Sequence, residues 1–443
     1  MKKIHHYIFA IPLLAMAITS CQKEYLDPSS VTPEKAYTTT QGLTALAVGL
    51  QRTYTTGLTS QIYTTVTANG LTSNELRLLN QGNIPELQLT TGGGSVDGTN
   101  TLLNSIWSVS NKIIFDADNI LNNAPNLGDK GIASGLIGYA TIFKALAIGN
   151  QAMFWQQIPA KLGTITSGTT FMSREEGYTR AIAAIDNALS VIQANPISAN
   201  FYIYVPAVTV NNTMIGNINI VNTLYALKAR YALFKGDYTT ALSAANLVDL
   251  SVRSYFTFDA ANPNPIFRNI TSTNNITAPT DANLGLPASI TPDAGDRRVP
   301  FYTSTNTTAP TVRVNGFGAA STTQYPIYLP GEITLIKAEA YARMTPPNLS
   351  EALTELNKVV TKKPANDPFG VGADLPPLVG PFTQAELLTQ IYKHRSIELY
   401  MLGMRLEDQR RFERPVSERK RTFMPYPFSE RDNNPNTPTD PTF

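Results

Sequence analysis

Few residues in this chain could do chemistry on their own. There is one cysteine, Cys21, and there are three histidines, of which His5 and His6 sit at the start, so His394 alone serves the body. A single cysteine excludes an internal disulfide, a CxxC motif and a cysteine metal cluster. A single body histidine excludes a histidine-cluster zinc site. A nucleophilic triad would have to use His394. It falls inside a helical pattern with Glu398 one turn on, and no GxSxG elbow lies near it. Packing or solvation is therefore its expected role.

Paired carboxylates could cleave a glycosidic bond without histidine, but one of them must have a raised pKa. Glu398 and Asp408 lie among Arg395, Arg405, Arg410 and Arg411. Guanidinium neighbours hold carboxylates ionised, the wrong direction for a general acid. Ion pairing inside a scaffold is the expected role, and Asp296 beside Arg297 and Arg298 reads as a loop-clamping salt bridge. The only tryptophans, Trp107 and Trp155, lie at positions that favour packing. Any stacking of sugar rings would then fall mainly to the 20 tyrosines.

The elements that must position these residues are mostly helical. The chain has 443 residues, 42% hydrophobic and 15% charged, with a net charge of +2. That balance excludes a wholly disordered chain and gives no basic face for nucleic acid. The length allows about three domains or one large unit. The start, MKKIHHYIFAIPLLAMAITSC, has basic Lys2 and Lys3 and an apolar run from Tyr7 to Ile18. The run is too short to span a bilayer and suits a secretory signal over 1–20. The stretch AITSC resembles the lipobox of bacterial lipoproteins. By that resemblance Cys21 is the lipidated first residue of the mature chain, attached to outer-membrane lipid through a tether over 21–32.

Periodicity predicts helices over 36–55, 102–123, 132–157 and from a Ser173/Glu176 capping box onward. Residues 63–99 read as loop, and 195–217 as irregular or short strand. A helix over 222–234, a turn at Gly236–Asp237 and a helix over 238–250 form the clearest pair. Ala229 and Ala241 are 12 residues apart across that turn, as are Ala340 and Ala352 in a second pair. Small residues at this spacing let antiparallel helices approach, as in tetratricopeptide hairpins. The fold class is mostly α: four tetratricopeptide-like helical hairpins, about 33–123, 132–193, 222–250 and 332–412. An irregular lobe with short strands spans about 256–330, where a structureless loop would be unusual. Residues 364–381 make another irregular excursion. One long helix is expected over 384–412, followed by an extended tail.

Several stretches resemble the SusD/RagB family of outer-membrane nutrient-binding lipoproteins. QIYKHRSIELYMLGMRLEDQRRF matches its long C-terminal helix through Arg395, Glu398, Gly403, Arg405, Asp408 and Arg411. FMPYPFSERDNNPN matches its closing motif through Pro425, Pro427, Glu430, Asn434 and Pro435. LYALKARYALFKGDYTTALSAA, EITLIKAEAYARM, Asp296 with Arg298, and Trp107 with Asn119 match further segments, so the likeness covers nearly the whole of 33–443. It implies capture of an oligosaccharide or polysaccharide at the cell exterior and delivery to a SusC-like TonB-dependent transporter. It implies no catalysis and no cofactor. Some members bind calcium, but no acidic loop of EF-hand form is present.

The resemblance places ligand contacts on the loop between the first helices and on the lobe after the third hairpin. Those regions supply Asn74, Glu75 and Arg77, then Phe267, Arg268, Tyr302, Arg313, Phe317, Tyr325 and Tyr328. An aromatic platform with amide and arginine donors around it is the expected chemistry, here as an exposed groove. A lipoprotein glycan hydrolase, a peptide-binding protein and a protein-interaction scaffold on the same helices are the alternatives.

Overall fold

The computed structural model describes residues 33–163, 167–210, 213–267, 270 and 276–443. The signal, Cys21 and Arg268 lie outside the described residues. The first helices are α1 (Pro33–Thr38), α2 (Thr40–Thr55) and α3 (Gln61–Thr72). Strand β1 (Leu76–Leu78) and α4 (Ile84–Thr91) follow, then the long α5 (Thr101–Asn123) and α6 (Lys130–Phe154). Helix α6 is long and apolar enough to cross a membrane by composition alone. It is instead the central helix, with nearly every side chain from Ile132 to Phe154 buried. Its glycines admit neighbours closely: a Cβ at Gly149 would lie 2.3 Å from the Tyr231 hydroxyl.

A hairpin of β2 (Gln157–Pro159) and β3 (Phe171–Ser173) leads to α7 (Arg174–Ala194). Ser173 caps α7, accepting from Glu176 N at 3.1 Å. A second hairpin, β4 (Ala207–Val210) with β5 (Thr213–Gly216), precedes α8 (Ile220–Lys235) and α9 (Tyr238–Ala245). Gly236 closes α8 with φ 84°, the left-handed conformation that suits glycine. Asp237 then caps α9, accepting from Thr240 N at 3.0 Å. Ala229 and Ala241 are both fully buried between the two helices. The same device recurs in α11 (Pro330–Arg343) and α12 (Leu349–Val360), where Ala340 and Ala352 are fully buried. Arg230 joins α8 to α11 through a two-pronged pair with Glu332, at 2.5 and 2.7 Å.

The lobe is built from two-stranded antiparallel ladders. β6 (Tyr255–Phe256) pairs with β10 (Tyr325–Pro326), and β7 (Thr277–Pro279) pairs with β1 so that Arg77 faces Ala278. After the short α10 (Arg298–Tyr302), β8 (Thr303–Thr305) pairs with β9 (Val312–Val314), placing Ser304 opposite Arg313. The chain closes with α13 (Gln384–Glu398), α14 (Arg405–Arg411) and α15 (Phe428–Asn433).

Three expectations change. The stretch read as loop over 63–99 contains α4, β1 and most of α3. Every α3 side chain is buried, so QIYTTVTANGLT shows no apolar stripe, and its threonines have low helix propensity. The helix expected over 384–412 is broken. Met401 and Gly403 take φ of 61° and 75° between α13 and α14, and the turn docks on α3 through Asn69 Nδ2 to Gly403 O at 2.9 Å. The tail is not wholly extended, since it carries α15. Helices α6 and α9 also end earlier than periodicity alone suggests, at Phe154 and Ala245.

Candidate ligand-binding surface

The expected exposed aromatic groove is not what the lobe presents. Tyr302, Phe317, Tyr325 and Tyr328 are all buried, at 2, 8, 6 and 1% exposure. Phe317 packs edge-on against Phe301, Tyr302, Tyr325 and Phe369. A lobe poor in helix and short in strands must find its apolar core somewhere, and these rings supply it. Their hydroxyls are also committed. Tyr302 Oη donates to Glu398 O, Tyr325 Oη donates to Met401 O at 2.8 Å, and Tyr328 Oη donates to Val252 O at 3.1 Å. Glu398 ends α13, and a helix end leaves its last carbonyls without intrahelical donors; Met401 lies in the turn that follows. Arg405 serves the same end through Ser396 O at 2.8 Å, and Arg298 also reaches His394 O, inside the helix, at 3.4 Å.

The charged candidates are scaffold. Arg298, fully buried, pairs with Asp296 at 2.7 Å and Glu398 at 3.1 Å. Lys362 adds to Glu398 at 2.8 Å and reaches Asp367 at 2.7 Å. Arg298 Nη2 also approaches His394 Nδ1 at 2.8 Å. An arginine can only donate, so His394 accepts there and is neutral. Burial first, then the charges of Arg298 and Lys393, push its pKa well below the ordinary imidazole range. Packing is thus the role of His394. Asp408 is held by Arg395 at 3.1 Å and Arg411 at 2.6 Å.

Among carboxylates with shifted pKa, burial would raise Glu407, but Arg174 and Arg410 bring it down to about 2. Glu75 moves the other way. Burial raises it despite Arg405 at 3.3 Å, but it is 1% exposed and accepts from Met401 N at 3.3 Å. No substrate reaches it. Among the described residues no His, Cys, Asp and Glu group could hold a metal ion.

The tryptophans pack as expected. Their rings meet edge-to-face at 4.8 Å. Trp107 Nε1 donates to Glu430 Oε2 at 3.1 Å, and Trp155 Nε1 to Pro425 O at 2.9 Å.

What remains accessible among these candidates is mostly polar. Arg77 is exposed on β1, with Nε donating to Pro279 O at 3.3 Å. Arg313 is half-buried on β9, and Phe267 is half-buried. Asn74, with φ 66°, anchors its amide on Glu418 O at 2.8 Å. It lines an open cavity of about 240 Å³ with Thr280, Asp281, Gly285, Arg405 and Gln409. Arg405 holds one wall by donating to Leu284 O at 2.6 Å. Arg405 was visible in sequence as a motif residue. Gln409 and Asp281 carried no such signal, because only the docking of the 280–287 segment on α14 brings them beside Asn74.

No family model and no curated protein matches this chain. Solved structures do. A SusD-like protein from Bacteroides fragilis is 13% identical, covering 95% of this chain and 100% of its own, with a TM-score of 0.67. A putative sugar binding protein from Bacteroides vulgatus is 16% identical, covering 91% and 98%, with a TM-score of 0.65. A SusD superfamily protein from Bacteroides fragilis is 16% identical, covering 89% and 97%, with a TM-score of 0.62. At such identity the likeness shows the fold alone: stacked helix pairs with a minor strand lobe.

Proposed function

We propose that this chain captures an oligosaccharide at the cell exterior and passes it to a SusC-like TonB-dependent outer-membrane transporter. The observation that carries the reading is the SusD-superfamily fold, shared over 84–95% of the chain with the structures above and with a SusD-like carbohydrate binding protein from Bacteroides vulgatus. Function is not fixed by fold, so the site must agree. In this reading residues 1–20 are a signal, acylated Cys21 and the 21–32 tether hold the body to outer-membrane lipid, and 33–443 act as one unit.

The ligand surface in this reading is the accessible polar ground around Asn74, Arg77, Arg313 and Phe267, with Arg268 added from sequence. Amide and guanidinium donors read sugar hydroxyls by hydrogen bonds. Bond cleavage is not part of the proposal, because the carboxylates described above are paired with arginine or sealed from solvent.

The test is calorimetric titration of the mature, unlipidated chain against defined oligosaccharides and peptides, with each mixture then analysed for cleavage. Binding to one glycan class, with the ligand recovered intact and affinity reduced in an Asn74→Ala, Arg77→Ala double variant, is the expected result. Cleaved ligand would replace the proposal with a hydrolase. Binding of peptides alone would move it to peptide capture.

A further inference from the structure

A second pocket lies on the helical scaffold, sharing Tyr392 with the cavity beside Asn74. Glu339 on α11 is fully buried and accepts from Arg343 Nε at 2.9 Å, Arg411 Nε at 2.7 Å and Arg411 Nη2 at 3.0 Å. Asp408 on α14 accepts from Arg395 Nε at 3.1 Å and Arg411 Nη2 at 2.6 Å. Three guanidinium groups therefore share two carboxylates. A buried cation without its own counter-charge is costly. The imbalance shows in the hydrogen bonds as well: Arg395 Nη1 and Arg411 Nη1 are buried and have no protein acceptor among the described residues.

A pocket of about 310 Å³ opens on this network. Arg343, Arg411 and Arg414 line it, with Thr389, Tyr392 and Phe412. The guanidinium groups are held in place. Arg343 and Arg411 sit over the Phe412 ring at 4.7 and 5.3 Å, and Arg414 sits over Tyr392 at 5.0 Å. Arg343 Nη2 is tied to Arg411 O at 3.0 Å, and Arg414 Nε to Glu418 at 3.0 Å. The side chains of Arg343 and Arg414 keep 18% of their surface open. The one carboxylate on the lining is Glu413, which is exposed. Fixed guanidinium groups of this kind suit a planar or tetrahedral oxyanion.

We infer that this pocket between α11, α13 and α14 binds a compact oxyanion: a carboxylate, sulfate or phosphate group. The inference stands independently of the glycan-capture reading. The bound anion supplies the counter-charge that Glu339 and Asp408 leave short.

The test measures Tm of the full mature chain in sulfate, phosphate or glucuronate against chloride at matched ionic strength, with glucose as the uncharged control. Saturable stabilisation above chloride and none by glucose is expected. Arg414→Gln and Arg343→Gln should each weaken the response about tenfold, and Arg180→Gln, an exposed arginine on α7, should leave it unchanged. Stabilisation by all three anions identifies the bare oxyanion as ligand, and by glucuronate alone the carboxylate of an acidic sugar. No gain over chloride overturns the inference. So does a gain that persists in Arg414→Gln, a variant whose loss of one surface pair keeps the fold and so serves even if Arg343→Gln does not fold.

Discussion

The helix pairs and the lobe are held together in opposite ways. In α8–α9 and α11–α12 the packing joins helices adjacent in sequence, with fully buried alanines and a short capped turn. In the lobe the decisive contacts are distant: Tyr302 and Tyr325 reach carbonyls 96 and 76 residues further on. Neighbouring helices specify each other through shape. The lobe is specified by the broken end of α13 and the turn after it, where Tyr302 donates to Glu398 O and Tyr325 to Met401 O. The lobe aromatics therefore answer to the scaffold before they can answer to any ligand.

The largest test of that contrast is Arg298→Ala, which strands Asp296 as a buried charge and leaves Glu398 with Lys362 alone. It should cost about 3–5 kcal/mol in urea unfolding. A loss below about 1 kcal/mol would mean that the seam between lobe and α13 is not electrostatic.

Next comes acid. Glu407 has a folded pKa of about 2 against an ordinary 4.5. A depressed carboxylate contributes stability that is present above pH 4.5 and lost as pH falls toward 2. Arg174 gains from the pair, whereas burial and the charge of Arg174 lower Arg410, so Arg174–Glu407 is the pair that dominates. Glu407→Gln should flatten the acid limb of the stability curve by about 3 kcal/mol. An unchanged limb would place the acid sensitivity elsewhere.

Overpacking tests the helix pairs directly. Ala352→Leu should cost about 1–3 kcal/mol by forcing α12 from α11, with the amide exchange rates of β6 and β10 unchanged. The smallest expected effect is that of Tyr325→Phe, about 1–2 kcal/mol, because it leaves Met401 O without its donor. Here amide exchange should quicken in β6, β10 and the 399–404 turn but not in α8 or α9. A uniform change across both regions would contradict the division.

The helix pairs were legible in sequence because their information is local: small residues at fixed spacing, glycine after a helix, a capping aspartate. Helix α3 was not, since it is buried on every side and built from threonines. The break at Met401–Gly403 was hidden because a continuous helical pattern runs across it, and only docking on α3 and Glu75 opens it. For the candidate surface, sequence reasoning named positions only: Arg77 is exposed and Asn74 half-buried. The aromatics were correctly grouped in one lobe but wrongly turned outward, because nothing in a tyrosine's neighbours tells whether its hydroxyl will meet water or a carbonyl a hundred residues later.

The tryptophan pair carries a consequence for how the chain is made. Trp107 and Trp155 find their hydrogen-bond acceptors on Glu430 and Pro425, while Phe154 O and Thr72 O receive their donors from Met424 and Lys420. A polypeptide emerging from its N-terminus onward therefore holds its central helices incomplete until residues 420–430 appear. Premature termination anywhere before that stretch leaves two buried indoles without acceptors. A chain that stops short of residues 424–430 therefore lacks both indole acceptors and the donor to Phe154 O.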